Sequence, residues 1–414
     1  MLCTQKRLWL AFASSALIVF TLGVAHDARA AGWSSGLQDA RSVGMGNAYH
    51  AVADTPVALH YNPAGLPLIH RKLAFQIGVH YPALLKYSAA YNYTDPVTDI
   101  TERVTHETPD VPIIPHILIT SNVLDQFMPR DFHLSLGLGW YVPMGGGTVD
   151  FQNMKLDLSK SSNLSGFKSE LAIHNLSLGV AASWKKWVSV GANFNIHISD
   201  VGLAQRNYPK ESIVQPSTFS YIDNEFEGMG VDFSGSFGLM LQDPGEMVRV
   251  GVSYKMQYNV NAKGTTTFDL QSPASTKKIL KDSYGVAFPV TGDTTVEFII
   301  PHEIMVGIAF SPLDWFTFSV SVDYTLWSNT EQMTLNWKDL GLPEKVFKDG
   351  LLNKEINLKT GYDDVLSFMV GAEVEVLKDN LPIRVGYILN PAAKTPYANS
   401  VASIDTDSHI ICYG

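Results

Sequence analysis

The chain has 414 residues, a formal net charge of −10, 46% hydrophobic residues, 11% aromatics, 32 glycines and only two cysteines. An acidic balance of this kind disfavours a nucleic-acid partner. Beyond the first thirty residues no run of 18 apolar residues occurs, which excludes a helical membrane protein and leaves the β-barrel as the membrane option.

Lys6 and Arg7 precede an apolar run from Leu8 to Val24 and then Ala28-Arg29-Ala30, the pattern of a cleavable secretory signal over residues 1–30. Its removal takes Lys6, Arg7, Arg29 and Asp27, a net +2, and brings the mature chain to about −12 by the same count. Cys3 leaves with it. Cys412 remains alone, so neither an internal disulfide nor a Cys-based metal site is available, and no metal or cofactor is expected. Gly32-Trp-Ser-Ser-Gly36 formally matches the G-x-S-x-G of serine hydrolases. It sits at the mature terminus rather than on a strand-to-helix elbow, so it reads as a chance match.

Residues 31–72 do not alternate. Asp54 or Thr55 is expected to cap a short helix with Pro56 in its first turn, running over Val57 to Tyr61, until Asn62 is pushed out of the helical region by Pro63. A helix so short is marginal in water. It needs surroundings, and the lumen of a following barrel supplies them.

From residue 73 the chain alternates with period two. Strands are expected at 73–93, 112–121, 132–141, 170–184, 187–200, 228–242, 246–262, 294–311, 314–329, 364–377 and 381–391, with a twelfth beginning at His409. In the clearest, Val188, Val190, Ala192, Phe194, Ile196 and Ile198 share one face while Ser189, Gly191, Asn193, Asn195, His197 and Ser199 share the other. Connections alternate between very short (Lys185-Lys186, Asp243 to Glu246, Pro312 to Asp314, Lys378 to Asn380) and long, roughly 142–170, 200–227, 262–293 and 328–364. Short periplasmic turns with long extracellular loops define a transmembrane antiparallel β-barrel in an outer membrane, here residues 73–414 plugged by residues 31–72. A last strand cut at Gly414 suggests a truncated chain, since a spanning strand needs about 9–11 residues and an open edge is costly in lipid.

The stretch from Ala40 to Leu66, "ARSVGMGNAYHAVADTPVALHYNPAGL", resembles the amino-terminal hatch of the FadL/TodX-type outer-membrane transporters of long-chain fatty acids and hydrocarbons. Asn62-Pro63-Ala64 matches that family's Asn-Pro-Ala, and Gly44 and Gly46 fall at its glycine positions. "IIPHEIMVGIAFSPLDWFTFSVSVDYTLWS" and "LPIRVGYILNP" are similar to its later hairpin and late strand. The resemblance implies a fourteen-stranded barrel, of which about twelve strands are present here. It also implies passive uptake of a hydrophobic small molecule that leaves sideways through the wall into the outer-membrane lipid. Assembly by the barrel-assembly machinery goes with that reading. A sideways exit spares an apolar molecule a return to water, worth about 25 cal/mol per Å² of apolar surface.

Within that frame Pro143 and Gly145, ending the third strand, are candidates for a wall opening, because Pro removes a ladder donor, and the Asn62-Pro63-Ala64 turn is expected in the lumen beside that bent end. Arg249, Lys255, Glu373, Glu375 and Arg384 face the lumen. Arg249 or Lys255 is the candidate cation for a substrate carboxylate. His302-Glu303 lacks a second zinc-helix histidine, and Gly145 to Gly147 lack the Lys of a phosphate loop. The alternatives are a non-transporting outer-membrane scaffold with a similar hatch and, more weakly, a membrane-embedded hydrolase.

Overall fold

The structure, a computed structural model, describes residues 39–80, 88–94, 101–107, 114–150, 166–207, 221–271, 277–278, 281–282, 285–338, 340–344, 355–377, 381–393 and 407–414. The leader, Gly32 to Gly36 and the Lys378 to Asn380 turn lie outside them. Two short helices, α1 (Ala40–Gly44) and α2 (Ala58–Tyr61), and a 3-10 turn (Pro63–Leu68) precede the strands. These are β1 (Leu73–His80), β2 (Ser88–Thr94), β3 (Thr101–Glu107), β4 (Ile114–Ser121), β5 (Phe132–Asp150), β6 (Gly166–Trp184), β7 (Val188–Asn207), β8 (Tyr221–Gln242) and β9 (Val248–Lys255). They continue as β10 (Tyr258–Gln271), β11 (Val290–Ile300), β12 (Glu303–Leu313), β13 (Phe316–Thr325), β14 (Gln332–Trp337), β15 (Glu355–Lys359), β16 (Val365–Leu377), β17 (Leu381–Asn390) and β18 (Ser408–Tyr413).

The wall follows the antiparallel order β1-β4-β5-β6-β7-β8-β9-β12-β13-β16-β17-β18. It is inside-out relative to a water-soluble protein. Val190 and Phe194 are half exposed on the outer face of β7, whereas Ser189, Asn193, Asn195, His197 and Ser199 on its inner face are buried. The alternation therefore presents apolar side chains to lipid and polar ones to the lumen, as a membrane barrel requires. At the β6–β7 turn Lys185 Nζ sits 5.1 Å over the Trp184 ring and 5.2 Å over Trp187, an aromatic-cationic group suited to the membrane interface.

Several strand boundaries differ from the sequence reading. Of the expected 73–93 strand, residues 73–80 form β1, and residues 88–94 instead pair with 101–107 in a separate two-stranded sheet. The expected 246–262 and 294–311 strands each split in two. Pro301 is one cause, because it has no N–H to give a ladder. The break is shared across the pair, since Lys255↔Glu303 and Tyr258↔Ile300 flank it on either side. In the other direction, β5 to β8 run 19 to 22 residues, well beyond the 10 to 15 expected, because their antiparallel ladders continue into the long hairpins. Toward the long-hairpin end the sheet leaves the wall: β10 pairs with β8 and β11, β11 with β14, and β14 with β15.

Four cross-strand glycine pairs lie on the inner face: Gly137↔Gly179, Gly191↔Gly238, Gly251↔Gly307 and Gly371↔Gly386. Residues 39–72 rest directly on them. Leu59 packs on Gly137 and Gly179, and Asn62 to Ala64 on Gly191 and Gly238. His50-Ala51 meets the third pair and Met45-Gly46 the fourth. A methyl on Gly238 would overlap the Asn62 side-chain oxygen, and one on Gly371 the Met45 carbonyl.

Replacing Gly238 by Leu should therefore leave the strand ladder intact while expelling the hatch. The expected result is a heat-modifiable, strand-rich protein in detergent whose residues 39–72 become cleavable by added protease. A protease pattern identical to that of the parent would show that the glycine floor is not needed for docking.

Candidate functional site

α1 begins in a local motif the sequence reading passed over. The Ser42 N–H donates to Asp39 Oδ1 (2.7 Å) and the Asp39 N–H to Ser42 Oγ (3.4 Å), so each satisfies an otherwise orphaned group. Gln76 on β1 donates to Asp39 Oδ2 at 2.8 Å, which moors the cap to the wall. Gly44 closes the helix beside Arg384. Gly46, at φ 58°, lies so close to the backbone of Gly386 and Tyr387 that a side chain has neither the conformation nor the room.

α2 is capped differently from expectation. Val57 holds the N-cap position without a side-chain bond. Asp54 accepts instead from Arg41 and from the Tyr49 hydroxyl (3.1 Å), and Thr55 Oγ1 lies 3.0 Å from the same hydroxyl. Both candidate caps are engaged by residues upstream of the helix.

Asn62 is fully buried. Its Nδ2 donates to the carbonyls of His50 (3.0 Å) and of Leu239 on β8 (3.3 Å), and its Oδ1 accepts from the Ala64 N–H (3.1 Å). One side chain thus joins two hatch segments and the wall. The Asn62-Pro63-Ala64 turn sits against β7 and β8, not beside Pro143 where the sequence reading puts it; the floor of Gly191 and Gly238 is where its backbone fits. His60 of the hatch stacks edge-on to Tyr141 of β5 at 5.3 Å between ring centroids.

Wall side chains satisfy the carbonyls of this irregular segment one by one. Asn193 donates to Leu59 O (2.6 Å), Ser253 to Tyr61 O (2.8 Å), Arg249 to Val52 O (2.9 Å) and Asn122 to Ile69 O (2.6 Å). Buried carbonyls without partners would each cost about 1–3 kcal/mol.

An ionic cluster holds the other side. Arg41 donates from Nε and Nη2 to the two oxygens of Glu373 (3.0 and 2.8 Å), with Nη1 reaching Asp54, and Arg384 shares the same Glu373. Arg249 lies 3.6 Å from Asp54. Arg249 is thus part of the hatch mooring, bonded to Val52 O, rather than an open cation in the lumen. Lys255 is paired with Glu303 at 2.9 Å across the β9–β12 ladder. Burial disfavours the charged Asp54 carboxyl, yet Arg41 and then Arg249 hold it below its usual value of 3.8.

Pro143 and Gly145 lie where β5 departs from regularity. The β4–β5 register ends at Ile117↔Trp140, and the β5–β6 register shifts between Tyr141 and Met144 and again between Met144 and Gly147. Gly145 takes φ 132°, and a side chain there would run into Leu171 O. β5 therefore bulges at this pair, just past its last register pair with β4.

Above the hatch the lumen changes from polar to apolar. Met144, Ile173, Val201 and Phe226 from β5 to β8 pack against Val260, Phe268, Val296, Phe298, Leu335 and Trp337 from the inward-folded β10, β11 and β14. The sequence reading treats much of this roof as loop. Its signal is the alternation of Phe226, Gly228 and Gly230 and of Tyr258, Val260 and Ala262, which continues past the length of a bilayer-spanning strand.

A family profile described as "Outer membrane protein transport protein (OMPP1/FadL/TodX)" matches residues 21–414. Among solved structures, a FadL homologue of Pseudomonas aeruginosa is similar at a TM-score of 0.65 and 15% identity, covering 92% of this chain and 85% of that one. The toluene transporter TbuX of Ralstonia pickettii follows at 0.56 and 19%, covering 84% of each chain. The toluene transporter TodX of P. putida gives 0.55 and 16%, covering 87% and 83%. No curated protein sequence matches this chain significantly.

The Asp54 shift sets a pH window for the mooring. A carboxyl whose folded pKa lies below 3.8 contributes its full stabilisation above about pH 4 and loses it only as pH falls through that lower value. Protease protection of residues 39–72 should accordingly be the same at pH 7 and pH 5 and decline only below about pH 4. In Arg41→Ala, which strips Asp54 and Glu373 of their shared partner, protection should already be reduced at neutral pH.

Proposed function

Since the chain belongs to the outer-membrane transport family whose profile it matches, we propose that this outer-membrane β-barrel carries hydrophobic small molecules passively into the cell envelope. Long-chain fatty acids and aromatic or aliphatic hydrocarbons are the substrate classes. The observation that carries the reading is the apolar roof of the lumen, set directly above a polar belt and a docked hatch. A greasy molecule gains contacts under that roof and loses them in the polar belt, so a route down the axis is uphill as well as plugged.

The bulge within β5 at Pro143 and Gly145 is the opening we assign for release into the membrane. The hatch of Gly44, Gly46, Asn62, Pro63 and Ala64 keeps the axis closed meanwhile. Lys255, at the top of the polar belt, is the cation we assign to a substrate carboxylate, with Glu303 as its resting partner; Arg249 serves only once the hatch shifts. We further assign residues 1–30 to a cleaved leader, 31–72 to the hatch and 73–414 to the barrel, with outer-membrane lipid as its solvent and the barrel-assembly machinery as its partner in biogenesis. Catalysis has no part in this reading.

Uptake of a labelled fatty acid and of labelled toluene by cells carrying the protein tests the proposal. Phe226→Asp, which puts a charge into the roof, should lower uptake severalfold at an unchanged outer-membrane level. Asn62→Ala should alter it severalfold with the ladder untouched. Equal uptake by cells with and without the protein, for both substrates, would defeat the transport reading.

A further inference from the structure

β8 carries an irregularity that neither the hatch nor the β5 bulge uses. Its lower part pairs with β9 from Gln242↔Arg249 up to Ser236↔Lys255, and its upper part pairs with β10 from Met229↔Lys263 to Tyr221↔Gln271. Between them Gly230 to Gly235 have no ladder partner on that side among the described residues. β10 leaves the wall there and turns inward, where Tyr258 stacks flat on His197 of β7 with ring centroids 3.8 Å apart. Two bonds cross the interval. The Met256 N–H donates to Gly235 O at 2.9 Å, and the Asn261 N–H donates to the Asp232 side chain at 3.2 Å.

Exposure marks the same interval from outside. Met229, Val231 and Phe233 on the lipid face of β8 are 59%, 58% and 59% exposed. Those values match Phe75 and Ile77 on β1, at 60% and 62%, and lie a little above Ile308 on fully flanked β12, at 53%. The interval begins about seven residues above the periplasmic turn at Asp243. With a rise of about 3.3 Å per residue and a tilt near 40°, it starts roughly 18 Å up, in the outer half of an apolar band about 25 Å tall, and ends roughly 30 Å up, in the interface above it.

We propose that this interval is a second lateral portal, through which apolar small molecules pass between the outer-leaflet hydrocarbon and the roofed lumen. The inference rests on the transport reading. The roof closes the axial mouth by folding β10, β11 and β14 inward, and the departure of β10 from the wall is what opens the side. Asp232 is its latch: it supplies from a side chain the acceptor that a missing ladder carbonyl would have given the Asn261 N–H, and it also faces Asn261 Nδ2 at 3.3 Å. A side chain can release that donor by rotating, whereas a ladder cannot open at a single bond. Inside, Ser234, bonded to His197 at 2.7 Å, and the Tyr258 ring line the way to the apolar roof.

The test locks the portal. In a Cys412→Ser background, cysteines at Asp232 and Asn261 are oxidised to a cross-link verified by mass, and uptake of labelled toluene and of a labelled fatty acid is measured with and without reductant. Uptake should fall severalfold on oxidation and recover on reduction. Gly235→Trp, which fills the outer mouth beside Met256 without any cross-link, should lower it likewise. Parental rates in both the locked protein and Gly235→Trp would overturn the portal and leave transport through β5 standing. Absence of uptake in the Cys412→Ser parent, assembled at the level of wild type, would overturn the transport reading on which the portal rests.

Discussion

The rest of this structure depends on close backbone contact between an irregular segment and a regular wall. Residues 39–72 contain little repeating structure, so many of their carbonyls find no partner within the segment. In a lumen with restricted water they must be met from outside. The wall meets them with Asn193, Ser253, Arg249 and Asn122, and each reaches its carbonyl within 3 Å. Short side chains such as Ser and Asn reach that far only if the two backbones nearly touch. The glycine pairs supply the missing thickness.

The same contact accounts for the choice of Asn62. A residue wedged onto Gly191 and Gly238 has no water to turn to, so all of its polar capacity must be used in place. An asparagine that donates twice and accepts once from its own turn meets that condition, and the following proline adds rigidity without adding a donor to satisfy. The ionic cluster around Glu373 works on the opposite wall by longer reach, through Arg41 and Arg384, and anchors the start of the hatch where the glycine floor ends.

Much of this was legible in the sequence because alternation is a direct image of a two-faced strand. Which side chains of β7 meet lipid could be read off Val188 to Ser199, and the hatch stood out as the part that would not alternate. The glycine floor was visible in principle, since Gly137, Gly191, Gly251 and Gly307 all fall on the inward parity of their strands. Their pairing depends on register, which no single strand encodes. The caps of α2 were misread because Asp54 has a better partner in Arg41, thirteen residues away, than in its own helix. The engagement of Arg249 is hidden for a similar reason: it bonds the Val52 carbonyl, 197 residues earlier. The splits at Met256 and Pro301 were hidden because both halves keep the same alternation across the break.

Where the wall is interrupted follows from where the hatch needs it whole. Donors such as Ser253 are placed by the ladder on which they stand, so any strand that meets the hatch must be paired at that level. On β5 the hatch rests on Gly137 and Gly139, and pairing with β4 persists through Trp140 before it ends. On β8 and β9 the hatch uses Gly238, Leu239, Gly251 and Ser253, and pairing persists to Ser236↔Lys255 before it ends. Both interruptions thus begin close to the level of the last hatch contacts, which on β5 reach Tyr141, on the two flanks of the continuous arc β5 to β8. Below that level a gap would cost the plug its partners. Above it the lumen is lined by apolar side chains that require no ladder-placed donor, so there the wall can open without loosening what it holds.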